Sequence, residues 1–144
     1  MKTNNLKVLL FAPAFLFVTG LLLSSCKKDN NPITGSNIDV ATGTFKGSIT
    51  VYDRPGSAGQ EYFNAIVTVT KVGGNQLKVT AKTGEAYSDA TPATFTDVRY
   101  QNSIVQSNTV MGALVYLESN KELTVVTEKQ TATDRSFTFK GVKQ

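Results

Sequence analysis

Cys26 is the only cysteine in the 144-residue chain, and the chain contains no histidine. The thiol therefore has no second cysteine for an intramolecular disulfide and no imidazole to activate it as a nucleophile. Leu23-Ser24-Ser25 precede it directly, and a long uncharged segment precedes them. This upstream segment indicates which chemistry the thiol performs.

Residues 1–25 have the anatomy of a cleavable secretory signal. Lys2 and Lys7 supply a positive start, and the run from Val8 to Leu23 is uncharged and mostly Leu, Phe, Ala and Val. A membrane-spanning helix needs about 20 apolar residues, whereas this run is shorter and is interrupted by proline and glycine. We therefore predict a signal peptide over residues 1–25.

The run Leu23-Ser24-Ser25-Cys26 resembles the lipobox of bacterial lipoproteins, which has an aliphatic residue, two small residues and a cysteine. The resemblance implies that the thiol of Cys26 receives a diacylglycerol, that the signal is cut before it, and that the new amine is acylated. Each buried methylene contributes about 0.8 kcal/mol, so several chains anchor far more persistently than one. The implied location is the cell envelope, lipid-anchored at the outer membrane on its periplasmic or surface-exposed face. The alternative is a free cysteine buried in the fold.

Residues 26–40 comprise the cysteine and a predicted flexible tether, which is polar, rich in Asn and broken by proline and glycine. Such a segment has a root-mean-square reach of about 20 Å. Lys27-Lys28-Asp29 have two interpretations. In related lipoproteins the residues after the cysteine direct sorting, and lysines also contact anionic headgroups. Residues 41–144 constitute the predicted β domain.

The composition argues against several classes of function. Without Lys2 and Lys7, 13 of the 15 basic side chains remain against 11 acidic ones, and this balance without a basic cluster is not typical of nucleic-acid binding. The absence of histidine removes the common triads and histidine metal sites. Glu118 and Glu122 flank Ser119-Asn120-Lys121, which indicates a turn rather than a catalytic carboxylate pair. We expect no enzyme activity, no cofactor, no metal site and no nucleic-acid partner.

The mature chain has the pattern of an all-β domain, because β-branched and aromatic residues dominate and turn residues recur at short intervals. Alternation from Phe45 to Tyr52 predicts a half-buried strand. Asp53–Gln60 contains proline and two glycines, which predicts a loop. The alternating runs Phe63–Lys71 and Leu77–Lys82 predict a β-hairpin, since the glycines of Val72-Gly73-Gly74-Asn75 permit a tight reversal.

The middle of the chain has a less regular pattern. Glu85–Ala90 fits either a short strand or an irregular connection. Thr94–Tyr100 predicts one strand with a bulge near Asp97, because Phe95 is out of phase with the later apolar residues. Val110–Leu117 is apolar on both faces, so we expect a loop or a partner to cover its outer surface.

The strand spacing favours one architecture. Seven or eight strands follow one another through short connections, whereas a Greek-key sandwich requires at least one long crossing. We predict an antiparallel up-and-down meander closed into an eight-stranded barrel, which leaves no open edge. A β-sandwich is the alternative. Closure would pair Gly43–Gly47 of the first strand with Phe137–Gly141 of the last.

The motifs Gly43-x-Phe45-x-Gly47 and Phe137-x-Phe139-x-Gly141, with a hairpin meander between them, resemble the calycin-like β-barrel lipoproteins of Gram-negative bacteria. The resemblance covers roughly residues 40–144. It implies a lipocalin-like barrel and an extracytoplasmic location, with no assigned activity. Lipocalins and avidin-type barrels usually carry tryptophan in the opening motif, whereas this chain has phenylalanine there and no tryptophan.

Two functions fit a lipid-anchored barrel. The first is binding of a small apolar or amphipathic ligand in the barrel mouth, with Asp53–Gln60 as a gate. The possible ligand-lining residues are Phe45, Ile49, Phe63, Val67, Phe137 and Phe139. The competing expectation is that these side chains simply fill the barrel. The second function is a membrane-tethered interaction or inhibitor module that contacts an envelope protein through Val110–Leu117.

Overall fold

The computed structural model describes residues 37–54 and 56–144. The predicted signal peptide, the lipidation site at Cys26 and most of the tether lie outside these residues. The described residues all belong to one compact unit. No helix among the described residues is long and apolar enough to cross a membrane.

The described part of the chain forms nine antiparallel strands and one short 3₁₀ helix, so the predicted all-β class is confirmed. The helix spans Ile38–Ala41, and the strands are β1 Gly43–Tyr52, β2 Gln60–Gly73, β3 Gln76–Ala81, β4 Ala93–Phe95, β5 Arg99–Gln101, β6 Ile104–Thr109, β7 Gly112–Leu117, β8 Glu122–Thr127 and β9 Ser136–Lys143. Most strands alternate buried and more exposed residues, because successive side chains point to opposite faces of a sheet. The inward set forms one apolar core.

All nine strands belong to one sheet, in the order β4-β3-β2-β1-β9-β8-β7-β6-β5. The predicted pairing of the first and last strands is confirmed, since β1 pairs with β9. The two predicted segments are offset, because Gly47 lies opposite Gly141 and Phe137 lies opposite Val51. The predicted closed eight-stranded barrel is wrong. There are nine strands, and the ladder is interrupted between β4 and β5, so the sheet is a curled half-barrel with two short edges.

The interruption arises where a single strand was predicted over Thr94–Tyr100. Asp97 adopts a left-handed conformation with φ of 53°, which ends β4 and sends the chain into β5 at the opposite edge. Only four peptide units join Phe95 to Arg99, so their Cα atoms lie within about 14 Å of each other. The sheet must therefore curl until its edges are near neighbours.

The hairpin of β2 and β3 is confirmed, with Gly74 and Asn75 at its turn. The inward direction expected for Phe63 is wrong, because β2 contains a bulge that the alternation did not reveal. Phe63 and Asn64 together oppose the single residue Ser48 of β1, and Asn64 has a φ of 57°. The extra residue shifts the phase of the strand, which leaves the Phe63 side chain 72% exposed.

Two irregular segments cover the ends of the curled sheet. At one end the 3₁₀ helix buries Ile38 and Ala41 completely, and Asp39 forms an ion pair of 2.9 Å with Lys71 of β2. At the other end Glu85–Ala90 is irregular rather than a strand, and it buries Tyr87 and Ala90. The Tyr87 hydroxyl accepts a hydrogen bond of 2.9 Å from the backbone N–H of Ile66, which fixes this cover to β2.

Candidate binding cleft

The interior of the half-barrel is occupied by side chains. Five of the six possible ligand-lining residues, Phe45, Ile49, Val67, Phe137 and Phe139, are at most 1% exposed and belong to the core. The Phe45 ring packs edge-on against Tyr116, with ring centroids 5.8 Å apart. Large aromatic side chains therefore fill the space in which an apolar ligand was predicted to lie.

The loop that was predicted to gate the barrel instead borders a surface cleft. The cleft has a volume of about 240 Å³ and lies at the end of the sheet where β1 stops and β9 begins. Its lining is predominantly polar and consists of Val51, Asp53, Ala58, Gln60, Tyr62, Asp89 and Arg135. We call this the loop-end cleft.

The loop keeps its shape through local hydrogen bonds and glycine. Ser57 donates both its N–H and its hydroxyl to the carbonyl oxygen of Arg54, at 3.1 and 2.7 Å. Gly59 lies so close to the strand that an added Cβ would come within 2.6 Å of the Tyr52 ring. Glycine at this position therefore lets the loop return against β1 and bring Gln60 to the rim of the loop-end cleft.

Arg135 connects the two sides of the loop-end cleft. Its Nε lies 3.1 Å from Oδ1 of Asp53, and its Nη1 pairs with Oδ2 of Asp89. Lys129 adds a hydrogen bond from its ammonium to the Asp53 carbonyl oxygen. The three paired side chains remain between 42% and 68% exposed, so each pair contributes little to stability and their remaining polar atoms stay accessible.

The position of Arg135 is set by backbone contacts on both of its sides. Its N–H donates to the Thr91 hydroxyl at 2.9 Å, and its carbonyl oxygen accepts from the Thr91 N–H at 3.0 Å. In the preceding loop the Asp134 carboxylate accepts hydrogen bonds from the N–H groups of Gln130 and Thr131. Hydrogen bonding from Thr131 to this carboxylate holds the pKa of Asp134 below its ordinary value.

One lining residue of the loop-end cleft, Tyr62, packs against a second tyrosine behind it. Tyr62 lines the cleft, and its ring leans on that of Tyr87 with centroids 5.7 Å apart and an angle of 55°. Tyr87 is itself held by its hydrogen bond to Ile66. Tyr62 is therefore held in a fixed position, while the exposed lining of the cleft is almost entirely polar.

The carboxylates that were weighed as an acid pair lie at the other end of the domain. Glu118 and Lys121 bound a turn, as predicted, and the Glu118 carboxylate accepts a hydrogen bond of 2.7 Å from the Tyr100 hydroxyl. This bond raises the pKa of Tyr100. Glu122 instead forms an ion pair of 3.3 Å with Lys140. Each carboxylate thus has its own separate partner.

The segment Val110–Leu117, predicted to be apolar on both faces, contains β7, and β7 has that pattern. Leu114 and Tyr116 point into the core, and Ala113, Val115 and Leu117 are half-buried on the outer face. Val110 lies outside the strand, in the turn before it, and is 81% exposed.

Sequence reasoning missed the central residues of the loop-end cleft. Arg135 was not singled out, and Asp89 was covered only by the segment Glu85–Ala90, for which a short strand and an irregular connection were both open. They lie 46 residues apart along the chain, and no local spacing relates them to Asp53. The one available signal was the glycine-rich loop Asp53–Gln60, which does border the cleft.

Comparison of the chain with protein-family models, with curated proteins and with solved structures finds no match. The resemblance to calycin-like lipoproteins therefore stays a prediction from the motifs of β1 and β9.

Proposed function

We propose that this chain is a lipoprotein of the cell envelope, held to the membrane through Cys26, whose β domain binds a small polar ligand in the loop-end cleft. The observation that carries the proposal is the contrast between the two candidate spaces. The interior is packed with phenylalanine side chains, whereas the loop-end cleft is open and lined by charged and amide groups from four separate segments. Binding clefts of this kind use a few convergent polar groups to orient the ligand.

The two ends of β1 support this arrangement. The tether leads into the 3₁₀ helix, which directly precedes the start of β1 at Gly43, and Asp53 of the cleft follows the end of β1 at Tyr52. A strand of this length spans about 30 Å. An anchor upstream of the helix therefore attaches at one end of β1, and the loop-end cleft opens at the other.

The anchoring part of the proposal is tested by labelling cells with palmitate and replacing Cys26 by serine. We expect the full chain to incorporate the label and to fractionate with membranes, and the Cys26→Ser chain to do neither. A serine variant that still fractionates with membranes would contradict anchoring through the thiol.

The binding part is tested by native mass spectrometry of the full chain purified from its membranes. We expect an adduct of small mass on the unaltered chain, and we expect Arg135→Ala to lose it. Arg54→Ala is the matched control. Arg54 is an exposed arginine of the loop Asp53–Gln60, but it does not line the cleft. An adduct that survives Arg135→Ala would place binding elsewhere on the protein.

A further inference from the structure

We infer that the loop-end cleft takes a neutral, hydroxyl-rich molecule, namely a single sugar ring of a saccharide. This inference rests on the proposed function, because it names the ligand class for the same cleft. Three properties of the cleft lead to it: its charge balance, its unused hydrogen-bonding atoms, and its small size with a polar lining.

The charges around the loop-end cleft are balanced. Asp53 and Asp89 contribute two negative charges, and Arg135 pairs with both carboxylates. Lys129 contributes a second positive charge, and its ammonium donates to the backbone carbonyl oxygen of Asp53. An anionic ligand that approached Arg135 would meet both carboxylates, and a cationic ligand that approached either carboxylate would meet the guanidinium. A neutral ligand avoids both repulsions and leaves the existing pairs intact.

The same groups retain unused donors and acceptors. A guanidinium has five N–H donors, and only Nε and Nη1 of Arg135 contact carboxylates. These contacts engage Oδ1 of Asp53 and Oδ2 of Asp89, so the second oxygen of each carboxylate can still accept. Gln60 adds an amide with both functions. Hydroxyl groups both donate and accept, so neighbouring hydroxyls of a sugar match this mixed set.

The size of the loop-end cleft and its polar lining limit the ligand further. A volume of about 240 Å³ lies below the roughly 300–1,000 Å³ of clefts for drug-sized molecules, which suits one ring. The exposed lining is almost entirely polar, so hydrogen bonds rather than apolar contacts must hold the ligand. A single ring with hydroxyls around its edge meets both conditions.

The test compares sugars that share one ring and differ in charge. The full chain is purified in lauryldimethylamine oxide, which has no sugar headgroup, and titrated by calorimetry with glucose, glucosamine and glucuronate, and with the matching galactose series. We expect at least one neutral sugar to bind with a Kd on the order of 1 mM, and both charged counterparts to bind at least fivefold more weakly.

Two glutamine variants locate the binding. Gln60→Ala removes a lining amide and should weaken binding of the neutral sugar at least tenfold. Gln76→Ala is the matched control, because Gln76 is also an exposed first residue of a strand but does not line the cleft. Since both glutamines are exposed, neither change should prevent folding.

Each outcome separates the ligand class from the proposed function. Preference for a charged sugar, with loss in Gln60→Ala, would overturn the neutral class and leave the cleft as the binding site. If no sugar binds but Arg135→Ala still loses the co-purified adduct, the neutral class is overturned and the cleft remains the binding site. Sugar binding that Gln60→Ala and Arg135→Ala both retain would overturn the site itself, and with it the proposed function.

Discussion

Replacement of Gly47 by alanine should separate β1 from β9, because these strands approach each other closely at a pair of glycines. Gly47 lies directly opposite Gly141. A Cβ at Gly47 would lie 2.0 Å from the carbonyl oxygen of Lys140 and 2.4 Å from the Cα of Gly141. Both obstacles are backbone atoms, so no side chain can rotate away to make room.

The size of the effect follows from the displacement that is needed. Real Cβ contacts essentially never fall below 3.0 Å, so the strands must separate by at least about 1 Å at this point. Ladder hydrogen bonds of about 2.9 Å would stretch to about 3.9 Å, beyond the usual limit. Loss of two to four such bonds, at about 1 kcal/mol each, together with local overpacking, predicts a destabilisation of about 3–5 kcal/mol.

The assay is urea unfolding of residues 27–144, followed by far-ultraviolet circular dichroism. Gly73→Ala is the matched control, because Gly73 is also in a strand and an added Cβ there would meet only the Gln76 amide oxygen, at 3.9 Å. We expect the control to change the free energy of unfolding by less than about 0.5 kcal/mol. An equal midpoint for Gly47→Ala and Gly73→Ala would refute the reasoning.

Gly141→Ala tests the same contact from the other strand. Its Cβ would lie 2.6 Å from the carbonyl oxygen of Lys46 and 2.6 Å from the Phe139 ring. We expect it to destabilise the domain as well. The double variant with Gly47→Ala should lose less than the sum of the two single losses, because both changes force apart the same pair of strands.

Three further predictions concern the core and its polar contacts. Phe139→Ala should lower the free energy of unfolding by about 3–5 kcal/mol, whereas Phe63→Ala should change it by less than about 0.5 kcal/mol. If urea unfolding gives similar losses for the two variants, Phe63 is not turned outward and the bulge in β2 is disproved. Thr127→Val should lower the free energy of unfolding by about 1–3 kcal/mol, because the buried hydroxyl accepts from the Phe137 N–H at 2.7 Å and donates to the Phe137 carbonyl oxygen at 3.1 Å. Thr127→Ser keeps the hydroxyl and should recover most of this loss in the same assay. Burial raises the pKa of Tyr116 above 10.0, so the stability that the neutral hydroxyl contributes is present below pH 10.0 and is lost as the pH rises through the higher pKa of the folded state. Tyr116→Phe should therefore flatten the alkaline decline of the melting temperature. An unchanged decline would exclude Tyr116 as its cause.

Much of the strand pattern was predictable because it depends on neighbours in the chain. The alternation in β1 and the hairpin of β2 and β3 require only that side chains point alternately to two faces and that glycines allow a tight turn. The pairing of β1 with β9 was also predicted, from the motifs Gly43–Gly47 and Phe137–Gly141, but the register that places Gly47 opposite Gly141 was not. The structure supplies their physical reason, since neither glycine leaves room for a side chain.

The errors arose where one residue changes the course of a strand. Asn64 and Asp97 both adopt positive φ values. The alternation around Asn64 suits a continuous strand, and the phase change near Asp97 indicates a bulge but not the end of a strand. The bulge at Asn64 turned Phe63 outward, and the break at Asp97 divided one predicted strand between the two edges of the sheet. Asn and Asp adopt positive φ more readily than most residues, but this tolerance does not specify where a strand bulges or ends.

By itself, the sequence determined the all-β class and the order of most strands, because these depend on local pattern and on residue type, and it is the sole basis for the prediction of a lipid anchor at Cys26. Only the tertiary structure decided that the sheet stays open, that phenylalanine side chains fill its interior, and that Asp53, Asp89 and Arg135 meet around one cleft. Residues so far apart in the chain come together only through the register of the paired strands and the curl of the sheet, which no short segment encodes.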